Sequence, residues 1–537
     1  MTFLMHMCKI IYTLASKLFN MGIFDSIIKG KNKDKVNSFC CTTEGFYIGA
    51  AEAECEANNP RTPLTDVFED YLDVITQINN EAFIVTGRKG SGKTAIGEYI
   101  YSIAENDPNL FATFIKKTDV DIEEIVHLGL ETGNVIQQEL MFKWIVLTQL
   151  VKLIVKNENV SKFKEVDSLK KFLSRNRGFI DINNNEVKEV LKERGTTINL
   201  EYLKRFYTAN FQKKIAIKEE KAEFYKLIPY LEEIVLNILQ KDPDNNYILI
   251  FDDLDVGYSS KLESNVSTLS ELIRIAKYFN NEFFKRNSLD SKVIILLRND
   301  IVKHLIYSAD TAKMFASYSL ELKWYEDEFR NQEDNLKLKQ FIVKRIVENF
   351  KRLNIVYNHN NPFGSFVDET EYRARSGNTS KTCFKYIIEH TFFRPRDLIL
   401  LFSDIDRYKF ELPISRSNIK TLIGKYANLM ILELQNELSV SYSPNEIQRI
   451  FAVLKAFNEK NFSYITLRTN LQNTGFTENA DDVIEDLFDY SMIGNISNEN
   501  DVTFKFREKG AELCKFNPEK RILLHKVLIV YFRNNQR

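Results

Sequence analysis

The sequence predicts an α/β protein built on a five-stranded parallel sheet, and three observations carry this prediction. An apolar run at 82–86 leads through a glycine-rich segment into a helical pattern. A second run, 247–251, ends in acidic residues, and a third, 293–297, ends in Arg298-Asn299-Asp300. The five predicted strands are 82–86, 110–115, 247–252, 293–297 and 318–324. An extra strand between the glycine-rich strand and the acidic strand implies that these two are not neighbours in the sheet.

The glycine-rich segment Gly87-Arg88-Lys89-Gly90-Ser91-Gly92-Lys93-Thr94 fits the pattern G-x-x-x-x-G-K-[ST] between a strand and a helix. Glycines let successive backbone N–H groups turn inward around a phosphate, and the helix N-terminus behind them adds partial positive charge. Lys93 is expected to reach the β- and γ-phosphates, and the Thr94 hydroxyl to coordinate Mg²⁺. The residues predicted to bind the nucleotide, for which we expect ATP, are Gly87, Arg88, Lys89, Gly90, Ser91, Gly92, Lys93, Thr94 and Ala95.

The acidic residues after the second apolar run predict the hydrolytic part of the site. In open α/β sheets ligands bind at the carboxyl ends of the strands, which is where these acids fall. Asp252 is expected to hold Mg²⁺ through water, and Asp253 to polarise the attacking water. Asp255 is a third acid, either a supporting residue or a helix N-cap. We therefore predict catalytic roles for Asp252 and Asp253 beside Lys93.

Two further polar segments predict sensors of the phosphates. Arg298 or Asn299, at the tip of the third apolar run, could contact the γ-phosphate; alternatively the segment is a charged loop whose Asp300 caps the next helix. Arg394 and Arg396 flank Pro395 at the start of an apolar helical pattern. They suit a second sensor that reaches back to the phosphates, or else a helix start with surface arginines.

Composition narrows the class of protein. Lys and Arg (73) nearly balance Asp and Glu (74), so no global positive field attracts nucleic acid or an anionic membrane. Six cysteines in 537 residues, with no C-x-x-C, do not suggest a disulfide framework or a zinc site. No segment reads as a transmembrane helix, because the richest apolar region, 142–155, is short and carries charges. We expect a cytoplasmic protein that does not insert in a membrane.

The predicted domain organisation places insertions and additions around the sheet. Residues 1–44 are expected to be a flexible N-terminal segment, and we interpret its first 20 residues as the product of an upstream start, with Met21 as the natural one. The rest divides into 45–117 (first part of the core), 118–240 (a mainly helical insertion), 241–330 (second part of the core), 331–440 (a helical lid) and 441–537 (a winged-helix-like domain). Residues 49–54, just before the core, either lie against the adenine side of the site or begin a solvated helix.

Two of these regions bear on partners. Within 161–222, basic residues outnumber acidic ones by 15 to 9, which fits contact with a partner or nucleic acid, although a solvated surface is the simpler interpretation. In 441–537, three helical patterns precede a hairpin signature around Asn498 to Asp501, the pattern of a winged helix. Its third helix, 478–490, contains several acids and no Lys or Arg, so that face would repel DNA phosphates. We expect this domain to serve packing or protein interaction.

The order of these segments resembles the AAA+-like and STAND group of P-loop NTPases, and within it prokaryotic ATPases with G-R-K-G-S-G-K-T, D-D-L-D and R-P-R-D segments. The resemblance covers about residues 45–530 and implies a P-loop NTPase core of the additional-strand type, with helical insertion, helical lid and C-terminal winged helix. It implies ATP at Gly87 to Thr94, Mg²⁺ at Thr94 and Asp252, water activation at Asp253, and sensing at Arg298 and at Arg394 or Arg396. Some members of this group act in anti-phage defence.

The leading functional hypothesis is a regulatory switch that hydrolyses ATP slowly and couples nucleotide state to a protein partner or to self-association. Many AAA+ ATPases have Glu where Asp253 stands, and the shorter side chain favours slow turnover. One alternative is a nucleic-acid-handling ATPase in the style of replication initiators, which the basic insertion favours. Another is a nucleotide-gated scaffold without hydrolysis.

Overall fold

The structure is a computed structural model of the whole chain, which divides into the units Met1–Cys41 and Thr42–Arg537. Only the second unit is described below, since Cys41 is the one described residue of the first. The described residues are 41–116, 138–176, 197–199, 221–254, 262–305, 309–325, 332–370, 372–373, 380–439, 441–457, 461–475, 479–498, 501–507 and 514–535. The predicted start at Met21, Asp255 and most of the basic residues of 161–222 lie outside them.

Helices and strands alternate through the first half of the unit, and helices predominate in the second. The helices are α1 Ala53–Ala57, α2 Leu64–Val67, α3 Val74–Asn80, α4 Lys93–Asn106, α5 Gln138–Lys156, α6 Lys164–Arg175, α7 Ile228–Lys241, α8 Leu262–Lys277, α9 Asn299–Leu305, α10 Ala309–Tyr318, α11 Lys337–Arg352, α12 Pro362–Phe366, α13 Cys383–Ile388, α14 Pro395–Leu401, α15 Ile405–Tyr408, α16 Arg416–Leu438, α17 Pro444–Lys455, α18 Tyr464–Asn473, α19 Ala480–Asp489 and α20 Lys526–Asn534. The strands are β1 Ile84–Gly87, β2 Leu110–Ile115, β3 Thr197–Asn199, β4 Lys221–Glu223, β5 Asn246–Phe251, β6 Lys292–Arg298, β7 Ser319–Glu321, β8 Tyr372–Arg373, β9 Ser380–Lys381, β10 Ile493–Asn498, β11 Asp501–Thr503 and β12 Arg521–Leu524.

Five strands form one parallel sheet in the order β2-β5-β6-β1-β7. All five coincide with predicted strands, although β7 is shorter than the predicted 318–324. β6 lies between β1 and β5, which confirms that the glycine-rich strand and the acidic strand are not neighbours. The register pairs Gly87 with Arg298, so the tip of β6 lies beside the start of the loop that follows β1. The α/β fold with an all-parallel sheet is as predicted.

Both faces of this sheet are covered, as apolar runs without alternation predict. Val293 and Ile295 of β6 belong to a hydrophobic cluster with the helices α5, α7 and α8 on one face. Ile294 and Leu296 belong to a second cluster on the other face, with α3 and α4. The side chains of a strand alternate between faces, so one strand supplies both clusters. The insertion helices α5 to α7 thus share a core with the sheet, and the region also contains an unpredicted antiparallel pair, β3 with β4.

The apolar residues of 64–78 recur at helical spacing, which predicts one helix with Thr65 as a possible N-cap. The structure has two short helices there, so that prediction was wrong. α2 ends at Val67, and Asp73 has a left-handed backbone with φ +54° before α3 begins. The Asp70 carboxylate accepts hydrogen bonds from the backbone N–H groups of Val74 and Ile75, at 2.6 and 2.7 Å. It satisfies donors at the second helix start, which breaks the helical pattern in two.

The predicted lid and the C-terminal region share one hydrophobic cluster, from Leu338 on α11 to Phe532 on α20. Helices α17, α18 and α19 and the hairpin β10–β11 lie where three helices and a hairpin were predicted. β12 was missed; it pairs antiparallel with β10 and completes a three-stranded sheet. Acids of α19 are bound by neighbours in the same region, with Arg468 2.9 Å from Asp481 and the Tyr442 hydroxyl 2.6 Å from Asp486.

Within the described ranges, no helix is long and apolar enough to cross a membrane.

Candidate functional site

The loop 87–94 connects β1 to α4 at the carboxyl edge of the sheet. Gly90 and Gly92 have left-handed backbones, with φ +79° and +99°, and Gly92 is the residue just before α4. The Ser91 N–H donates to the Arg88 carbonyl at 3.1 Å, which closes a tight turn. These conformations are strained for residues with a Cβ, which explains both glycines. The loop therefore presents a helix N-terminus at the sheet edge, as the glycine spacing predicts.

The Lys93 ammonium is folded back onto its own loop. It donates hydrogen bonds to the carbonyl oxygens of Gly87 at 3.0 Å and Arg88 at 3.2 Å, and the residue is buried. An ammonium held by backbone carbonyls places a fixed positive charge at the loop. The predicted phosphate-binding lysine thus lies at the cavity beside the loop.

Thr94 and Asp252 come from different elements and meet. The Thr94 hydroxyl donates to Asp252 Oδ2 at 2.8 Å, and the Asp253 N–H donates to Asp252 Oδ1 at 3.0 Å. Burial, with the charge of Asp253 beside it, raises the pKa of Asp252 to about 7. A buried carboxylate beside a second, exposed one is stabilised by a cation. A hydroxyl with a carboxylate is a donor set that Mg²⁺ accepts together with phosphate oxygens. These residues fit the predicted metal, although none of the described segments gathers three or more His, Cys, Asp or Glu side chains in a group that could hold one.

Asp253 has a left-handed backbone, with φ +54°, directly after the buried end of β5. It lines the same cavity as Lys93, Thr94 and Ala95. A non-glycine residue held in this conformation is typical of functional positions. The side chain is therefore placed at the cavity, whereas Asp252 lies behind it.

The tip of β6 is held by an internal ion pair. Arg298 binds Asp300 through two contacts, Nε to Oδ1 at 3.1 Å and Nη2 to Oδ2 at 2.5 Å. The Asn299 amide donates to Glu321 on β7 at 2.7 Å. The cavity lining, as the described residues form it, does not include Arg298. The structure thus places the first predicted sensor beside the loop but facing Asp300.

The two arginines of the second predicted sensor, Arg394 and Arg396, differ in burial and in their partners. Arg394 is buried and forms a capping box with Asp397, with Nη2 2.8 Å from Oδ1, while its Nη1 donates to the Lys89 carbonyl at 2.9 Å. Although burial opposes it, the charges of Asp397 and Glu433 raise the pKa of Arg394 above its usual value. This guanidinium fastens the start of α14 to the loop. Pro395 is in the first turn of that helix, as predicted.

Arg396, by contrast, lines the cavity. Its Nε donates to the Ala51 carbonyl at 3.1 Å, and its Nη1 lies 3.2 Å from Oε1 of Glu433 on α16. Of the two arginines, Arg396 is the one placed to reach a ligand. Its stem also contacts Gly90, where an added Cβ would lie 3.1 Å from Arg396 Cβ and Cδ.

Gly90→Ala is expected to lower the free energy of unfolding by about 1–2 kcal/mol, because the left-handed backbone disfavours a Cβ and the Arg396 stem leaves it little room. Urea unfolding of the two proteins would measure it. Gly475→Ala, at a residue with φ +68° and nothing within 4 Å of the added Cβ, is the matched control for backbone strain alone. An equal loss in both variants would contradict a role for the contact with Arg396.

A cavity of about 410 Å³ opens beside the loop. Residues 50–54 form one wall, and α1 begins within the same stretch, at Ala53. Trp324, whose indole N–H donates to the Ser91 carbonyl at 2.8 Å, forms another. The remaining walls are mixed. They contain apolar and aromatic side chains, among them Leu64, Val67, Phe68, Leu322, Phe341 and Ile399, and also the carboxylates of Glu69 and Asp70.

A buried ion pair between Glu56 and Arg345 lies at this cavity. Arg345 also donates to the Val67 carbonyl at 3.3 Å and stacks over the Phe341 ring at 4.0 Å, so it joins α1, α2 and α11. Glu56, Trp324 and Arg345 were not predicted from the sequence. The one local signal is that Arg345 interrupts the apolar stripe Phe341, Ile342 and Ile346 of α11.

Arg88, the second loop residue, faces the C-terminal region. Its guanidinium lies 5.4 Å from the Phe506 ring centre and 5.9 Å from that of Phe392. Burial, together with the charge of Arg394, lowers the pKa of Arg88 to about 10. The loop thus lines the cavity through Gly90 to Thr94 and, through Arg88, contacts the rings of Phe392 in the predicted lid and Phe506 in the C-terminal region.

The chain matches no protein-family model, and a search of curated proteins finds no match.

Proposed function

We propose that the chain is an ATP-binding regulatory switch with a P-loop NTPase core and a C-terminal winged helix, which hydrolyses ATP slowly in the cytosol. The observation that carries the proposal is the hydrogen bond between Thr94 and Asp252, beside a loop that holds the Lys93 ammonium, at the carboxyl edge of a sheet in which β6 separates β1 from β5. These three residue types, on a strand, a glycine-rich loop and a helix N-terminus, are the parts that nucleoside triphosphate hydrolysis uses.

Each residue of the site has its own proposed role in binding or hydrolysis. The N–H groups of the loop 87–94 and the Lys93 ammonium would bind the β- and γ-phosphates, and Lys93 would exchange its carbonyl partners for phosphate oxygens. Thr94 and Asp252 would hold Mg²⁺, which supplies charge neutralisation for the phosphates. Asp253 would accept a hydrogen bond from the attacking water and orient it. Arg396 would stabilise charge on the phosphates from the lid side.

The aromatic part of the cavity wall supports a base-binding role. A volume of about 410 Å³ with aromatic walls, directly beside Gly90 to Ile96, suits a purine ring held next to its phosphates. The buried pair of Glu56 and Arg345 fixes three segments of the wall, so the pocket is largely preformed. ATP remains the proposed nucleotide, and a titration with GTP alongside ATP would decide the preference.

Hydrolysis tests the enzymatic half of the proposal. Purified protein is expected to release phosphate from Mg-ATP slowly, and Asp253→Asn to reduce that rate about a hundredfold without weakening ATP binding, because the amide is a poor acceptor for the water proton. Phosphate release and ATP titration on both proteins would measure it. Glu81→Gln, which removes an exposed acid paired with Lys285, is the control for loss of one negative charge. Fast turnover that Asp253→Asn abolishes would contradict the switch.

The same assay separates the alternatives. ATP binding without phosphate release would leave the non-hydrolysing scaffold. Stimulation by DNA that falls steeply with salt would favour the replication-initiator style of ATPase. Size-exclusion chromatography with and without Mg-ATP would show whether nucleotide drives self-association.

A further inference from the structure

The carboxylate of Glu433, on the long helix α16, lies close to three cationic side chains. Its oxygens lie 3.2 Å from Arg396 Nη1, 3.6 Å from Arg394 Nη2 and 3.8 Å from Lys89 Nζ. Glu437, one turn further along, lies 3.9 Å from Arg394 and is itself buried. We call Glu433 and Glu437 the acidic latch. It joins α16 to the loop 87–94 and to the start of α14.

The cations of the latch belong to the segments that the proposed function assigns to nucleotide phosphates. Lys89 is in the loop, and Arg396 lines the cavity beside Gly90. A carboxylate offers two anionic oxygens to a guanidinium, much as a phosphate does. Glu433 therefore occupies cations that a triphosphate would also attract.

The three cations are not equally exchangeable. The Arg394 side chain is only 4% exposed and is held by Asp397, so it stays with the protein. Arg396 and Lys89 keep 26% and 37% exposure, so a ligand can reach them. Only Arg396 and Lys89 can therefore exchange Glu433 for a ligand.

We propose that Glu433 is an internal competitor of the nucleotide: it binds Arg396 and Lys89 in the absence of ligand, and the phosphates must displace it. This proposal rests on the proposed function and adds to it a regulatory contact. α16 packs along α20, the last helix described, so release of Glu433 changes the contact between lid and C-terminal region. Because coupling is reciprocal, any partner that pulls α16 away from the loop raises nucleotide affinity.

The test is nucleotide affinity of the full chain carrying Glu433→Gln. The variant is expected to bind Mg-ATP about fivefold more tightly than the unsubstituted protein, the size expected when one partly exposed ion pair no longer competes. Isothermal titration with Mg-ATP measures it. Asp404→Asn is the matched control, because Asp404 forms an ion pair with Lys425 of the same helix at 3.5 Å without touching the loop, and it is expected to leave affinity unchanged. Unchanged or weaker binding by the Glu433 variant would overturn the proposal.

Two further variants identify the cause. In the Arg396→Gln background, the additional change Glu433→Gln is expected to raise Mg-ATP affinity no more than twofold. The guanidinium for which Glu433 and the phosphates would compete is then absent. A full fivefold gain in that background would overturn the competition. Should Glu433→Gln melt at a lower temperature, Glu433→Asp keeps the charge but withdraws it by one methylene, and a gain of about twofold is expected; no gain would again overturn it.

Failure of the proposed function has a different signature. If neither the unsubstituted protein nor Glu433→Gln binds Mg-ATP, both the proposed nucleotide site and the proposed competition by Glu433 are contradicted. If the unsubstituted protein binds Mg-ATP and Lys93→Ala does not, but Glu433→Gln leaves the affinity unchanged, only the proposed competition by Glu433 is contradicted.

Discussion

Lys93→Ala is expected to weaken Mg-ATP binding about a thousandfold. The ammonium is buried, at 3.0 Å from the Gly87 carbonyl. In the proposed complex, a water in its place would leave phosphate charge unpaired. Truncating one partner of a buried charge pair costs about 2–5 kcal/mol, and a thousandfold corresponds to about 4 kcal/mol. Titration calorimetry with Mg-ATP, with circular dichroism as the check on folding, measures it.

Lys171→Ala provides the matched control. This lysine is on α6, is exposed and forms an ion pair with Asp167 one turn away, at 2.7 Å. Its removal is expected to change affinity by less than twofold, since exposed pairs contribute little. If Lys93→Ala folds and still binds within tenfold of the unsubstituted protein, the loop is not the phosphate site.

Arg394→Ala is expected to lower the free energy of unfolding by about 3–5 kcal/mol. The guanidinium is buried, binds Asp397 through two nitrogens and donates to the Lys89 carbonyl at 2.9 Å. Its removal leaves the fully buried Asp397 carboxylate without its charge partner and cuts the link between α14 and the loop. Urea unfolding, followed by circular dichroism, measures the loss.

The neighbouring Arg396→Ala is the comparison that separates anchoring from ligand contact. Its side chain is partly exposed and pairs with Glu433, so its removal is expected to cost less than about 1 kcal/mol of stability. The same variant should weaken Mg-ATP binding, whereas a loss of stability equal to that of Arg394→Ala would show that both arginines are anchors.

Much of the sheet and its edge could be predicted from the sequence, because the signals are local. Each strand is a short apolar run, the loop and the acids follow such runs within a few residues, and Pro395 begins the apolar helical pattern of α14. β6 is an example: five consecutive apolar residues, 293–297, indicate a strand covered on both faces, and both hydrophobic clusters include its side chains.

What could not be predicted depends on contacts distant in sequence. Arg345 and Glu56 are separated by 289 positions, and no local pattern pairs them. The role of Arg394 is only partly local: its capping-box partner Asp397 is three positions away, whereas the Lys89 carbonyl that it binds is 305 positions away and no local pattern pairs them. The split of 64–78 into α2 and α3 was missed because the apolar spacing continues across Asp70, whose side chain caps the second helix.

The single hydrophobic cluster that runs from α11 to α20 bears on how the chain can be divided. The boundary predicted near residue 440 separates two sequence patterns, but Phe392 before it packs against Phe506 and stacks on His525 after it. A protein shortened at that boundary would lose one ring from beside Arg88 and expose apolar faces of α16 that α20 covers. The lid and the C-terminal helices therefore share one core beside the loop 87–94, and a protein that ends near residue 440 is expected to be less stable than the full chain.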